Sequence, residues 1–250
     1  MATFWCSILP VLISLFLQSS RKPLPENIYP SWFFSPSAAS VPLTVGYSAE
    51  HAYLDSAIKA ATREAARNYT KNQQEQVRGE QGLATLAVGT ITVGSTIKEY
   101  FDTAQAVRLG TTMKALDYFR RGGAVAVLAA TDSIANVPGL NRVDAATVPM
   151  PPWTKVLPEK SGYVYNSGLA PLYYNEFNSW LEAERKARIN LALGLYTKVK
   201  FLGKKENDAY FRESQVEETN VTLRGIEVIA RWKDVKNQIC YVLMRVPVSQ

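Results

Sequence analysis

The chain has 250 residues, of which 47% are hydrophobic and 20% charged, a mixture that belongs to a globular protein and excludes a disordered or fibrous one. The net charge of +6 is dispersed, with short pairs such as Arg120-Arg121 and Lys204-Lys205, and this argues against the concentrated basic stripe of a nucleic-acid binder. The two cysteines, Cys6 and Cys240, supply no disulfide framework.

Residues 1–20 carry no charged side chain, and 8–17 has the length of a signal-peptide apolar core. We read 1–20 as a signal peptide, with Gln18-Ser19-Ser20 as the cleavage region. No Lys or Arg precedes the apolar run, and Arg21-Lys22 follow it, so an uncleaved anchor is the alternative. A lipid-bearing Cys would close the apolar run after small residues. Cys6 follows Trp5 and does not qualify, so membrane association through a lipid is not assigned.

Residues 21–40 are rich in Pro and Ser and read as a linker. Residues 41–47 read as a strand, with Ser48 as an N-cap. From 49 to 76, Leu54, Ile58, Ala61, Ala65 and Tyr69 recur at steps of three and four, which predicts an amphipathic helix. Gly79 and Gly82 break it. Residues 83–93 and 96–101 suggest strands. Residues 102–119 read as a second helix, with Ala106, Leu109, Met113 and Leu116 inward. Gly122-Gly123 makes a turn before a buried strand at 124–130. The Pro-rich stretch 138–152 marks an interdomain linker.

The plan then recurs. Residues 163–165 read as a short strand. Residues 174–195 read as a helix with Phe177, Leu181, Glu184 and Arg188 on one stripe. Residues 198–208 form a polar connection. Strands at 216–221 and 225–232, a turn at 233–237 and a strand at 239–246 close the chain, the last two strands as an antiparallel hairpin.

An internal repeat is visible in the residues. Pro30-Ser31-Trp32 precedes a helix with Ala61, Arg63, Ala65 and Asn68. Pro151-Pro152-Trp153 precedes one with Ala183, Arg185, Ala187 and Asn190, and each helix match lies 122 positions further on. The expected fold is α+β, with duplicated modules at 41–137 and 153–250. Each packs an Ala-rich helix on a small antiparallel sheet.

Candidate chemistry is sparse. The one histidine, His51, has no second ligand spaced for a metal and no Gly-x-Ser-x-Gly elbow for a triad. Gly89-Thr90-Ile91-Thr92-Val93-Gly94 lacks the Gly-Lys-Ser/Thr ending of a phosphate loop. Asp102 and Asp234 read as turn residues, Glu217-Glu218 as a solvated pair and Cys240 as a core residue. Catalytic, cofactor-binding and metal residues are therefore all assigned as none. The aromatic residues Trp32, Phe33, Trp153 and Trp180 are the informative set, either closing a core or forming a partner surface.

Leu223-Arg224-Gly225-Ile226-Glu227-Val228-Ile229-Ala230-Arg231-Trp232-Lys233-Asp234, followed by Tyr241-Val242-Leu243-Met244-Arg245-Val246, resembles a bacterial envelope family. So do Pro30 to Asn68. The family is typified by a twenty-kilodalton outer-membrane lipoprotein antigen, with flagellar basal-disc and flagellar assembly relatives. The resemblance implies a periplasmic or outer-membrane location, a scaffolding role through protein contacts, envelope-protein partners or self-association, and no catalytic residues. Two other readings stand beside it: a ligand-binding module with a pocket between the halves or under the Trp-bearing segments, and an envelope hydrolase with convergent carboxylates.

Overall fold

The computed structural model describes residues 25–36, 42–86, 89–121, 123–132, 140–203 and 216–248. Residues 1–20, expected as a signal peptide with its cleavage region, lie outside these residues.

Two units share one connectivity, strand–helix–hairpin. In unit one, β2 (Thr44–Tyr47) leads to α2 (Leu54–Gln73), and the hairpin is β5 (Lys114–Arg121) and β6 (Ala124–Ala130). In unit two, β8 (Tyr163–Pro171) leads to α4 (Glu176–Gly203), and the hairpin is β10 (Glu227–Asp234) and β11 (Ile239–Pro247). The sheets are antiparallel, in the orders β2-β6-β5 and β8-β11-β10. The fold is α+β.

The correspondence extends to atoms. A Cβ on Gly46 would stand 2.1 Å from the Ala61 carbonyl oxygen and 2.2 Å from the Ala65 nitrogen. On Gly168 it would stand 2.1 Å from the Ala183 oxygen and 2.3 Å from the Ala187 nitrogen. In both units the helix backbone rests directly on the strand, which requires glycine below and alanine above. Asn68 and Asn190 bond back across that contact, donating from Nδ2 to the carbonyls of Val45 at 3.0 Å and Ser167 at 2.8 Å. Both hairpins carry a bulge at matching places, between Ala115 and Asp117 and between Val228 and Ala230. The segment equivalent to Val45–Tyr47 is therefore 167–169, not the expected 163–165, and β8 runs on to Pro171.

The units stack in layers. Along β6, Val125, Val127 and Ala129 pack on α2, while Ala124, Ala126 and Leu128 join the cluster containing α4. The two-residue period of a strand thus explains why this apolar run is buried throughout. Helix α4 lies between the sheets. Gly168 and Ala183 meet on one side of it, and Phe177 approaches the rings of Tyr47 at 5.4 Å and Phe119 at 5.6 Å on the other. A helix covered on two sides carries apolar residues around much of its circumference, as Phe177, Trp180, Ala183, Ala187, Leu191 and Ala192 do.

Two Pro-rich stretches expected as linkers are built into this stack. β1 (Ile28–Pro30) pairs antiparallel with β7 (Arg142–Asp144), and α1 (Ser31–Phe34) buries Trp32 and Phe33. A third sheet joins the units from outside: β3 (Gln74–Leu86) lies between β4 (Gly89–Tyr100) and β9 (Val216–Arg224).

Four further expectations are corrected. The helix expected over 102–119 is α3 (Thr103–Thr112) followed by β5, because pairing with β6 outweighs the helical spacing of Met113 and Leu116. Helix α2 ends at Gln73, before Gly79, and the chain continues as strand. Ser48 does not cap α2. Its hydroxyl accepts from the Val125 amide at 3.0 Å, and α2 begins after Tyr53. Residues 198–203, expected in a polar connection, belong to α4, and the rest of that expected connection lies outside the described residues.

Candidate functional site: the polar seam between the units

Two clusters of charged side chains lie where the units meet, and both are withdrawn from water. The first is centred on Glu184 of α4. Its Oε1 accepts from the Tyr47 hydroxyl at 2.7 Å and from Arg231 Nη2 at 2.7 Å and Nε at 3.2 Å. Arg231 also donates from Nη1 to the Phe33 carbonyl at 2.8 Å. One turn further along α4, Arg188 Nη2 stands 3.7 Å from Glu184 Oε2, and its Nε stands 3.7 Å from Glu75 Oε2 on β3. The cluster therefore ties β2, α1, α4, β3 and β10 together.

Burial raises the Tyr47 hydroxyl well above its ordinary value; Arg231 opposes the shift and Glu184 adds to it. For Arg231 burial works against the charge, but Tyr47 and Glu184 outweigh it and hold the guanidinium protonated. Burial also raises Glu75, with Arg188 and Lys71 opposing.

The second cluster is centred on Glu176. Tyr29 donates to Oε1 in a short hydrogen bond, and Trp180 Nε1 donates to the same oxygen at 2.9 Å. Lys233 Nζ donates to Oε2 at 3.2 Å and to the Tyr29 hydroxyl at 3.1 Å. Arg121 Nε stands 3.6 Å from Oε2, and the guanidinium lies 4.5 Å from the centre of the Tyr29 ring. Arg121 also donates to the carbonyls of Pro25 and Ile28. Burial, then Glu176, push the Tyr29 hydroxyl and the Cys240 thiol upward. A thiol held protonated is a poor nucleophile and a poor metal ligand.

Between the units opens a cleft of about 380 Å³, lined by Pro42, Asn68, Asn72 and Ile226 among others, with Glu184 and Arg231 also reaching it. Those two charges already bond to each other and to Tyr47 and Phe33. The arrangement consumes its charged groups internally. Breaking one partner of such a pair leaves an uncompensated buried charge, at a cost of about 3–5 kcal/mol.

The aromatic candidates separate. Trp32, Phe33 and Trp180 are core residues. Trp32 Nε1 donates to Asp117 at 2.9 Å, and the Phe33 and Trp180 rings meet edge-on at 5.1 Å. Trp153 is half-buried in a single turn of 3-10 helix, Pro152–Thr154. His51 is exposed. Asp102 caps α3, accepting from the Gln105 amide, and Asp234 accepts from the Asn237 amide, which lowers its carboxyl below the usual range. Cys240 is buried in β11. The side chains of Glu217 and Glu218 lie outside the described residues.

Sequence reasoning passed over Tyr29, Tyr47, Glu176, Arg231 and Lys233 as site residues. One signal was available: Glu184 and Arg188 share a stripe with Phe177 and Leu181, and charges on a buried stripe need partners. Among the described residues, no group of three or more His, Cys, Asp or Glu is placed to hold a metal ion. No helix among them is long and apolar enough to cross a membrane. No family model, curated protein or solved structure matches the chain.

Proposed function

We propose that this is a non-enzymatic protein of the bacterial cell envelope, exported to the periplasm or outer membrane, with a structural or assembly role exercised through protein contacts. We further propose that its two units arose by duplication; the matched glycine contacts, asparagine bonds and bulges support this.

One observation carries the functional reading. The charged groups at the seam are buried and paired with one another, Glu184 with Arg231 and Glu176 with Lys233 through hydrogen bonds and Arg188 with Glu75 and Glu184 through ion pairs at 3.7 Å, which supports a role in joining the units. The leader and the resemblance of 223–246 to the lipoprotein-antigen family add the location. Fractionation of the native host with intact-mass detection tests it. A species shortened by about twenty residues in the periplasmic or outer-membrane fraction is the expected outcome. A full-length cytoplasmic species overturns the reading.

The cleft of about 380 Å³ favours one second reading, a small-ligand module. Its volume is at the lower end for such sites. A set of envelope-derived small molecules that raises the thermal midpoint of the wild type but not of an Asn72→Leu variant would favour it.

A further inference from the structure

The outer face of the first sheet is covered by two things: the Trp32-bearing segment, and helix α4 of the other unit. Trp32 and Phe33 lie against Phe119, while Phe177 of α4 lies against Tyr47 and Phe119. The second sheet offers the corresponding face. By the matched registers, Leu169 stands where Tyr47 stands, and Trp232 where Phe119 stands.

Half of the cover is present there too. The segment that follows β7 lies over β10, and Trp232 donates to the Val148 carbonyl at 3.2 Å, so Trp232 and Leu243 are buried. The other half has no counterpart among the described residues. Leu169 is 48% exposed, whereas its equivalent Tyr47 is 4% exposed. Along the same side of β8 run Tyr165 and Tyr163. They border an open groove of about 720 Å³ whose opposite wall includes Val156, 73% exposed, and Leu157.

We infer that this groove and the Leu169 strip form a docking face for an amphipathic helix of another protein, one with an apolar stripe and acidic flanks. The chain itself displays the geometry on its first sheet, where the docked helix presents Phe177, Trp180 and two carboxylates, Glu176 and Glu184. The charge on the groove selects the occupant. Lys155 and Lys160 stand on it against a single carboxylate, Glu159, and Lys160 lies 5.5 Å from the Tyr163 ring. A second copy is a poorer fit, since its outer helical layer presents Lys59, Arg63, Arg67 and Arg108 against Asp55 and Glu64, a net positive face. Helix-in-groove recognition needs anchors at i, i+3, i+4 and i+7, a length the strip from Leu169 to the groove accommodates.

The inference rests on the reading of the chain as a protein-contact scaffold. The experiment uses the full chain and a fluorescein-labelled 18-residue peptide with leucine and phenylalanine on one helical stripe and glutamate elsewhere; a lysine-flanked counterpart is the control. We expect the acidic peptide to bind saturably and gain helical circular dichroism. Leu169→Asp and Val156→Asp should each weaken it at least about tenfold, and Val107→Asp on α3 should leave it unchanged. All three altered residues are exposed, and unchanged far-ultraviolet spectra verify that the variants fold.

Several results overturn the inference: equal binding of the lysine peptide, binding without helix gain, or wild-type affinity in both groove variants. It also fails if the full chain forms a dimer that Leu169→Asp dissociates, or if anionic phosphatidylglycerol vesicles occupy the same face in place of the peptide. Binding is read in solution, so its failure leaves the export test untouched, and a cytoplasmic location leaves the binding result standing.

Discussion

At Gly46 and Gly168 a single hydrogen atom sets the distance between helix and sheet. Alanine at either position would drive a methyl group into helix backbone, which cannot yield as a flexible side chain does. Gly46→Ala and Gly168→Ala should each cost about 3 kcal/mol, near the upper end for overpacking, read as a lower urea midpoint with an unchanged slope. Glu184→Gln should cost a similar amount, because Arg231 would keep its burial and lose its counter-charge. Replacing both partners together, Glu184→Leu with Arg231→Met, should recover part of the loss. A double-mutant cycle on urea unfolding measures the difference. The helix repeat pointed to Ala61, Ala65, Ala183 and Ala187 as special, since small residues at constant spacing signal close approach. The partners of Glu184 lie far away in the chain, and no local pattern names them.

The elements show where local preference suffices. The hairpin of β10 and β11 was legible because alternation, a polar turn and β-branched residues agree. Residues 113–119 were misread because Met113 and Leu116 fit a helical stripe as well as a strand, and only β6 decides between them. The third sheet is tied to the helices by charges: Glu75 faces Arg188 of α4, which also reaches Glu184, and Glu99 of β4 meets Arg185 at 2.8 Å and Lys71 of α2 at 3.6 Å. Burial raises Glu75 above its ordinary value of 4.5, so the folded state holds that proton more tightly than the unfolded one. Stability from this group is therefore complete below about pH 4.5 and is lost as pH rises through the folded value. Glu75→Gln should remove that component of the pH dependence. Urea midpoints of variant and wild type, compared from pH 4 to pH 8, check it.

Across the whole molecule the two units share one core. Tyr29, Phe33, Tyr47 and Phe119 from the first half lie in one apolar cluster with Phe177, Trp180 and Val242 from the second. The modules expected at 41–137 and 153–250 therefore contribute to one cluster in common. Residues 25–132 expressed alone should expose the Tyr47 and Phe119 face and bind a hydrophobic dye. Residues 140–248 should do the same through Phe177 and Trp180. Mixing the two should restore a dispersed nuclear magnetic resonance spectrum if the seam supplies most of the missing burial. The two stretches looked like separable linkers because 21–40 is rich in Pro and Ser and 138–152 in Pro. Composition does not show that Ile28–Pro30 pairs with Arg142–Asp144.

The pairing of β3 with β9 joins Gln74 to Arg224, residues 150 positions apart. A ribosome must release nearly the whole chain before that ladder can close. Until then β3 has only β4 beside it. Closing so long a loop carries an entropic penalty before any contact repays it, which slows folding in proteins rich in distant contacts. The chain thus spends its synthesis without its final form, a state that the export we propose would require.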